Sequence, residues 1–132
     1  MRLVPFERVD DTGFDTTVDV LLAQRGPPRQ RQLNSVELDE WDYGDTVYRF
    51  QTSGRLEEVT LQAPVLHLGA VAVPFATLQA FVQAQDPGCF ERAGFTVSPA
   101  FGLAFVPGEP CWVTALARHC IGTWRALDAA AG

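Results

Sequence analysis

The spacing of hydrophobic residues along this chain predicts three helices. Apolar side chains recur every three or four residues, as on one face of a helix, in three stretches: 14–24, 74–86 and 118–131. Asp15 should cap the first helix, and Gly26 with the two prolines after it should end it. Ile121, Trp124 and Leu127 should share one face of the last helix.

The clearest β-hairpin pattern of the chain lies over 46–51 and 56–62. Both stretches are rich in β-branched or aromatic residues, and Thr52-Ser53-Gly54 lies between them. In such a hairpin Arg49 should lie across from Glu57 or Glu58. A cross-strand charge pair of this kind contributes roughly 0.2–1 kcal/mol.

Shorter patterns complete the predicted sheet. Residues 33–43 alternate until Glu40, where the phase is lost and a bulge or a strand end is expected. Residues 2–9 fit a short strand or an irregular arm, and 25–31 fit a proline-rich loop. The remaining β candidates are 65–73, 94–97, 101–106 and 111–116.

These elements define the predicted fold class. Strands joined by tight turns pair antiparallel, so the helices should cover one face of an antiparallel sheet. We therefore predict a single α+β domain over residues 1–132. It should hold an antiparallel sheet of about five to six strands and about two to three helices.

The charge balance limits the possible partners. The formal net charge is -6, from 16 acidic and 10 basic residues, and every basic residue is arginine. A surplus of acids disfavours nonspecific binding to nucleic acid and docking on anionic lipid. It suits a basic protein partner better.

Cysteine usage and hydropathy bear on location. The three cysteines, Cys89, Cys111 and Cys120, are an odd number, and residues 1–9 lack the apolar core of a signal peptide. No apolar run approaches the roughly 20 residues that span a bilayer. Reduced thiols and a cytoplasmic location are expected.

One stretch combines acids with large aromatics just before the hairpin. We call it the acidic segment and define it by the residues expected to contact a partner: Glu37, Asp39, Glu40, Trp41, Asp42, Tyr43 and Asp45. Aromatic side chains anchor interfaces, and a surface with charges of one sign associates faster with a protein of the opposite charge. The alternative interpretation is a strand end and a turn, with Trp41 half-buried and the acids in water.

The residue types that carry chemistry show no recognisable spacing. Neighbouring His119 and Cys120 point in different directions on either a helix or a strand, so a nucleophilic pair would need Cys120 with His67, or His119 with another cysteine. No paired Cys or His spacing predicts a metal site, and no glycine-rich phosphate loop is present. Glu57 and Glu58 are expected on a solvated acidic face. The sequence predicts no cofactor, no metal and no catalytic residue.

The hairpin resembles one found in small bacterial immunity proteins. It reads Tyr-Arg-Phe-Gln-Thr-Ser-Gly-Arg-Leu-Glu-Glu-Val over 48–59, and Phe-Gly-Leu-Ala-Phe over 101–105 is similar to the later glycine-bearing strand of those domains. The resemblance covers about 36–117. It implies an acidic cytoplasmic protein without catalytic residues, which binds and blocks a toxin of a type VI or contact-dependent system.

Two other function classes remain open. The order of elements also resembles that of type III secretion chaperones, which are small acidic dimers, although the strand-like start and Pro64 and Pro74 depart from their pattern. A small enzyme is the third possibility. It would need a pocket that brings His67 or His119 next to a cysteine. The chain is thus expected to be a monomer or a homodimer.

Overall fold

The computed structural model describes residues 1–126, and they form an α+β fold built on one large antiparallel sheet. The helices are α1 Val18–Arg25, α2 Phe75–Gln85 and α3 Cys120–Ala126. The strands of the large sheet are β4 Gln30–Leu33, β5 Asp39–Asp42, β6 Thr46–Phe50, β7 Leu56–Gln62, β10 Phe90–Arg92, β11 Phe95–Ser98, β12 Leu103–Phe105 and β13 Trp112–Leu116. The α+β class is confirmed, but the sheet has 8 strands rather than five to six.

Two small sheets accompany the large one. The first is 3-stranded and contains β1 Leu3–Val4, β2 Arg8–Val9 and β3 Thr12–Gly13. The second is the hairpin of β8 Val65–Leu68 and β9 Val71–Pro74. The order in the large sheet is β10-β11-β12-β13-β7-β6-β5-β4, so β4 and β10 are its edges.

A row of buried residues marks one face of the large sheet as the core face. Trp41, Tyr48, Val59, Ala115 and Leu103 are cross-strand neighbours from β5 to β12, and all are buried. Their core cluster also contains buried residues of α1, α2 and the β8–β9 hairpin. A cluster of this size supplies most of the apolar burial that drives folding.

The helices do not all cover the same face, which corrects the expectation drawn from the sequence. Val97, Ala104 and Leu116 lie on the opposite face of the sheet, where they form a second cluster with Cys120 of α3 and with Trp124. Tight turns between strands are compatible with helices on one face of the sheet or on both. The side on which a helix packs is therefore decided by the face that its neighbours leave apolar.

Several predicted boundaries are wrong by a few residues. The first helix begins at Val18, with Thr17 as the N-cap, because the Thr17 side chain accepts a bond from the Val20 amide at 3.3 Å; Asp15 does not cap it. The last two residues of the predicted loop, Gln30 and Arg31, belong to β4, which pairs with β5. Residue 127 and the rest of the predicted last helix lie outside the described residues. No helix within 1–126 is long and apolar enough to cross a membrane.

The predicted hairpin is confirmed, but its irregularity lies elsewhere than expected. Arg49 pairs with Glu58, which is one of its two predicted partners. The next residue of β6, Phe50, pairs with Leu56, so the ladder skips one residue of β7. Glu57 is therefore an extra residue in β7, and the ladder between β5 and β6 runs through Glu40 without a register shift. The β-bulge belongs to Glu57 and not to Glu40.

Candidate functional site

The acidic segment does not form one continuous surface. Asp39 and Trp41 alternate with Glu40 and Asp42 along β5, so the two pairs lie on opposite faces of the sheet. Trp41 is only 2% exposed and packs edge-on against Phe50 in the core. Its indole ring is therefore not available to a partner in this structure, which corrects its expected role as an anchor.

Arginines neutralise much of the segment's charge. Arg31 of β4 donates to both carboxylate oxygens of Asp39 at 3.0 and 2.8 Å and stacks over the Trp41 ring. Although burial opposes ionisation of Asp39, the bonds from Arg31 outweigh it and hold the pKa of Asp39 below its usual value. On the other face Arg49 donates to Glu40 at 2.6 Å.

The remaining members of the segment lie in turns or at its ends. Tyr43 is partly buried and donates its hydroxyl to the Gly26 carbonyl at 2.8 Å. Asp45 is exposed and pairs with Arg25 at 3.4 Å. Glu37 is exposed in the turn between β4 and β5. Contact of these residues with a partner stays a prediction.

The β-bulge at Glu57 creates a different site. In a regular strand Glu57 and Glu58 would point to opposite faces of the sheet. The extra residue breaks that alternation, and both carboxylates turn toward the start of α3. Bulges often re-aim a side chain next to a functional site.

Glu57 is almost completely buried, and three side chains make polar contacts with its carboxylate. Its Oε1 accepts from Arg55 at 3.3 and 3.2 Å. Its Oε2 contacts His119 Nε2 and accepts from the Cys120 thiol at 3.2 Å. The exposed fraction of Glu57 is 2%, whereas the His119 side chain is 38% exposed. The expectation that Glu57 and Glu58 lie on a solvated face is therefore wrong.

Adjacent His119 and Cys120 meet at one carboxylate because the chain changes conformation between them. His119 lies in the turn after β13, and Cys120 is the first residue of α3. The turn is fixed by the Ala117 amide, which donates to the Glu57 carbonyl at 2.9 Å, and by the Cys120 amide, which donates to the Ala117 carbonyl at 3.0 Å. The sequence argument that the two side chains diverge holds for regular elements only.

The thiol of Cys120 is protonated in this arrangement. Burial raises its pKa most, followed by its hydrogen bond to Glu57 and the negative charges of Glu57 and Glu58. A cysteine nucleophile needs the opposite environment, with a lowered pKa. The geometry therefore does not favour cysteine catalysis. His67, the other expected partner, lies on β8 and is not part of the cluster.

Glu58, next to Glu57 in the chain, is a carboxylate whose pKa is raised. Burial raises its pKa, and the charges of Glu57 and Glu40 act in the same direction; Arg49 and a bond from the Trp124 indole at 3.3 Å only partly offset them. Glu58, a largely buried acid beside a second carboxylate, is costly to keep ionised. Such groups in a cleft are typical of functional sites.

A cleft with largely apolar walls opens onto this cluster. Its volume is about 360 Å³. The lining residues are Val36, Leu38, Gln51, Glu57, Glu58, His119, Cys120, Thr123 and Trp124. Small-ligand sites combine such walls with a few convergent polar groups. We call the three groups Glu57, His119 and Cys120 the Glu-His-Cys cluster.

Sequence reasoning named the members of this cluster but did not join them. Glu57-Glu58 and His119-Cys120 stand out as adjacent pairs, yet 62 residues separate Glu57 from His119. Nothing in the local pattern marks Glu57 as a bulge residue. Comparisons with protein-family models, with curated proteins and with solved structures gave no match.

Proposed function

We propose that this chain is a binding protein of the immunity type, which blocks a basic bacterial toxin by receiving it on the open edge of its large sheet. The observation that carries the proposal is the state of β4. All four of its residues are exposed, and in the described part of the chain it pairs with β5 alone. An open strand edge is a template for strand addition by another protein.

The register tells which main-chain groups face the partner. The Asn34 amide donates to the Leu38 carbonyl at 2.8 Å, so Asn34 and Leu38 form a hydrogen-bonded pair of the antiparallel ladder. Such pairs recur at every second residue, and Gln32 is therefore the next one. The amides of Arg31 and Leu33 lie between them and point away from β5, toward the edge.

Apolar contact area lies at the end of the same edge. Leu33 is 63% exposed and Val36 is 66% exposed, and both lie at or near the turn that follows β4. Exposed apolar side chains beside an open edge normally promote self-association unless another surface covers them. A dedicated partner would provide that cover.

Charge supports a basic partner, although less locally than the acidic segment suggested. The arginine of β4 is already paired with Asp39, so it does not repel a cation, and Glu37 is exposed in the adjoining turn. The net charge of -6 acts at longer range and speeds encounter with a basic protein. Glu37 is thus the member of the segment that best fits this role.

The test uses the toxin domain that the proposal expects to be encoded beside this gene. Purified chain and toxin domain are expected to form a 1:1 complex in calorimetry, and the chain should restore growth of cells that express the toxin. Leu33→Pro removes an outward amide without breaking the ladder to β5, and Leu33→Ala removes only the side chain. If strand addition occurs, the proline variant should bind at least about tenfold more weakly than the alanine variant, which corresponds to one lost hydrogen bond.

Controls separate the edge from general effects on the surface. Val71→Arg alters an apolar residue of β9 that is also exposed, and it should protect cells as well as the unchanged chain. Val36→Arg should fail to protect cells, because it places a charge in the apolar area expected to contact the toxin. Equal binding by all these variants, or a toxin gene absent from the neighbourhood, would overturn the proposal. A stable dimer that Leu33→Pro separates would instead favour the chaperone-like alternative.

A further inference from the structure

We propose that the Glu-His-Cys cluster binds one zinc ion with three protein ligands: Glu57 Oε2, His119 Nε2 and Cys120 Sγ. These three atoms lie within 4.8 Å of one another. The proposal is independent of the proposed toxin binding, because it rests on β7 and α3 rather than on β4.

One separation in the cluster approaches the size of a tetrahedral zinc site, whereas His119 Nε2 and Glu57 Oε2 lie closer together than two ligands of one ion and would have to move apart. Zinc bonds of about 2.0–2.3 Å place neighbouring ligand atoms roughly 3.3–3.8 Å apart. The distance from Cys120 Sγ to Glu57 Oε2 is 3.2 Å, close to that range. The half-exposed His119 can adjust its ring position, whereas Glu57 and Cys120 are held by the bulge and by α3.

The three ligand atoms, a sulfur, a nitrogen and an oxygen, favour zinc. A thiolate and an imidazole suit zinc among the common divalent ions, and calcium or magnesium would require oxygen ligands almost exclusively. Without metal, the Cys120 thiol donates to Glu57 Oε2. On binding, the thiol proton goes to solvent, the imidazole proton moves to Nδ1, and the ion balances the two charges of Glu57 and the thiolate.

Arg55 already orients the carboxylate of the cluster. Arg55 donates twice to Glu57 Oε1, the oxygen that zinc does not use, and thereby orients Oε2. Partners that orient a ligand in this way are common around metals, and their loss typically lowers affinity about 10–100-fold. The fourth coordination position would face the cleft lined by Leu38 and Trp124. A site with three protein ligands and one open position can take water or a small ligand with an anionic head and an apolar body.

Cobalt titration tests the proposal directly. Co²⁺ added to the reduced, full-length chain should give a near-ultraviolet thiolate-to-cobalt band and visible bands of tetrahedral coordination, at one ion per chain. Zn²⁺ should abolish both. Cys120→Ser should remove the near-ultraviolet band. His119→Ala should weaken binding at least about 100-fold, more than the loss of a residue that only orients a ligand.

Matched variants keep the test interpretable. Cys89→Ser alters a thiol outside the cluster and should leave the cobalt bands unchanged. Arg55→Gln should weaken binding about 10–100-fold while keeping the near-ultraviolet band. Circular dichroism confirms that each variant is folded, and His119→Ala, at a half-exposed position, stands in if Cys120→Ser does not fold. Absence of the thiolate band in the folded chain, or its survival in Cys120→Ser, would overturn the proposal.

Discussion

Replacement of two buried acids, Asp86 and Glu57, should change the free energy of unfolding differently. The difference distinguishes an acid that stabilises the fold from one that is retained for binding. Asp86 follows α2 and accepts from the Ser98 hydroxyl at 2.8 Å and the amides of Gly88 and Ala100 at 2.9 and 3.0 Å. The Ser98 hydroxyl is buried, whereas Gly88 and Ala100 are exposed residues whose amides can bond water instead. Asp86→Ala leaves all three donors without their charged acceptor and should lower the free energy of unfolding by roughly 2–3 kcal/mol, of which the buried hydroxyl accounts for about 1–3 kcal/mol.

Glu57 has partners of another kind. Arg55 and His119 are partly exposed and can rotate into water, and the Cys120 thiol retains the Glu57 main-chain carbonyl as an acceptor at 3.4 Å. Glu57→Met fills the same space without a charge. Replacement of a buried ionic group by an apolar side chain of similar volume is often neutral or stabilising. We therefore expect a change in unfolding free energy within about 1 kcal/mol of zero, or a gain.

Urea unfolding followed by tryptophan fluorescence measures both changes, in a metal-free buffer with chelator. Asp45→Ala is the control, since Asp45 is exposed and its pair with Arg25 contributes at most about 1 kcal/mol. If Glu57→Met lowers the free energy of unfolding as much as Asp86→Ala does, Glu57 is a structural residue. The reasoning that its burial is kept for a ligand would then be refuted.

Two further predictions concern stability. The pKa of Asp86 is held below its usual value because, although burial opposes ionisation, the bonds from Ala100, Ser98 and Gly88 favour it. Its contribution is therefore full above the unfolded pKa of about 3.9 and is lost as pH falls through the lower folded value. The difference in unfolding free energy between the unchanged chain and Asp86→Asn should shrink between about pH 5 and pH 2; a constant difference would contradict this. Gly102→Ala should cost about 1–2 kcal/mol more than Gly69→Ala. Both glycines have φ near +60°, but an added Cβ at 102 meets the Phe6 ring at 2.9 Å, and at 69 it meets nothing within 4 Å. Thermal unfolding of the two variants measures the difference, and equal midpoints would refute the steric argument.

The two proposals concern neighbouring parts of one surface. Val36 lies near the end of the β4 edge and also lines the cleft above the Glu-His-Cys cluster. A partner seated on β4 would therefore come close to the cleft. Their tests remain separate, because the edge variants leave the three zinc ligands unchanged and the ligand variants leave β4 unchanged.

Local sequence patterns predicted the central hairpin and the second helix of this fold. Runs of β-branched and aromatic residues with a Ser-Gly turn between them predicted the β6–β7 hairpin, and one of the two predicted partners of Arg49, Glu58, is the observed one. Helical spacing after Pro74 predicted α2, which starts at Phe75. These features depend on neighbours within a few residues, so the sequence by itself determined them.

Tertiary structure decided which residues form a site. The alternation along β5 places acids on both faces, but only the packed core reveals that Trp41 is internal and that arginines of β4 and β6 neutralise Asp39 and Glu40. The bulge at Glu57 exists because β6 and β7 pair out of register at one point, and no local pattern specifies that. The meeting of Glu57 with His119 depends on the side of the sheet where α3 packs. Long-range packing fixes that choice, since it follows from the total apolar area buried and not from any short stretch of sequence.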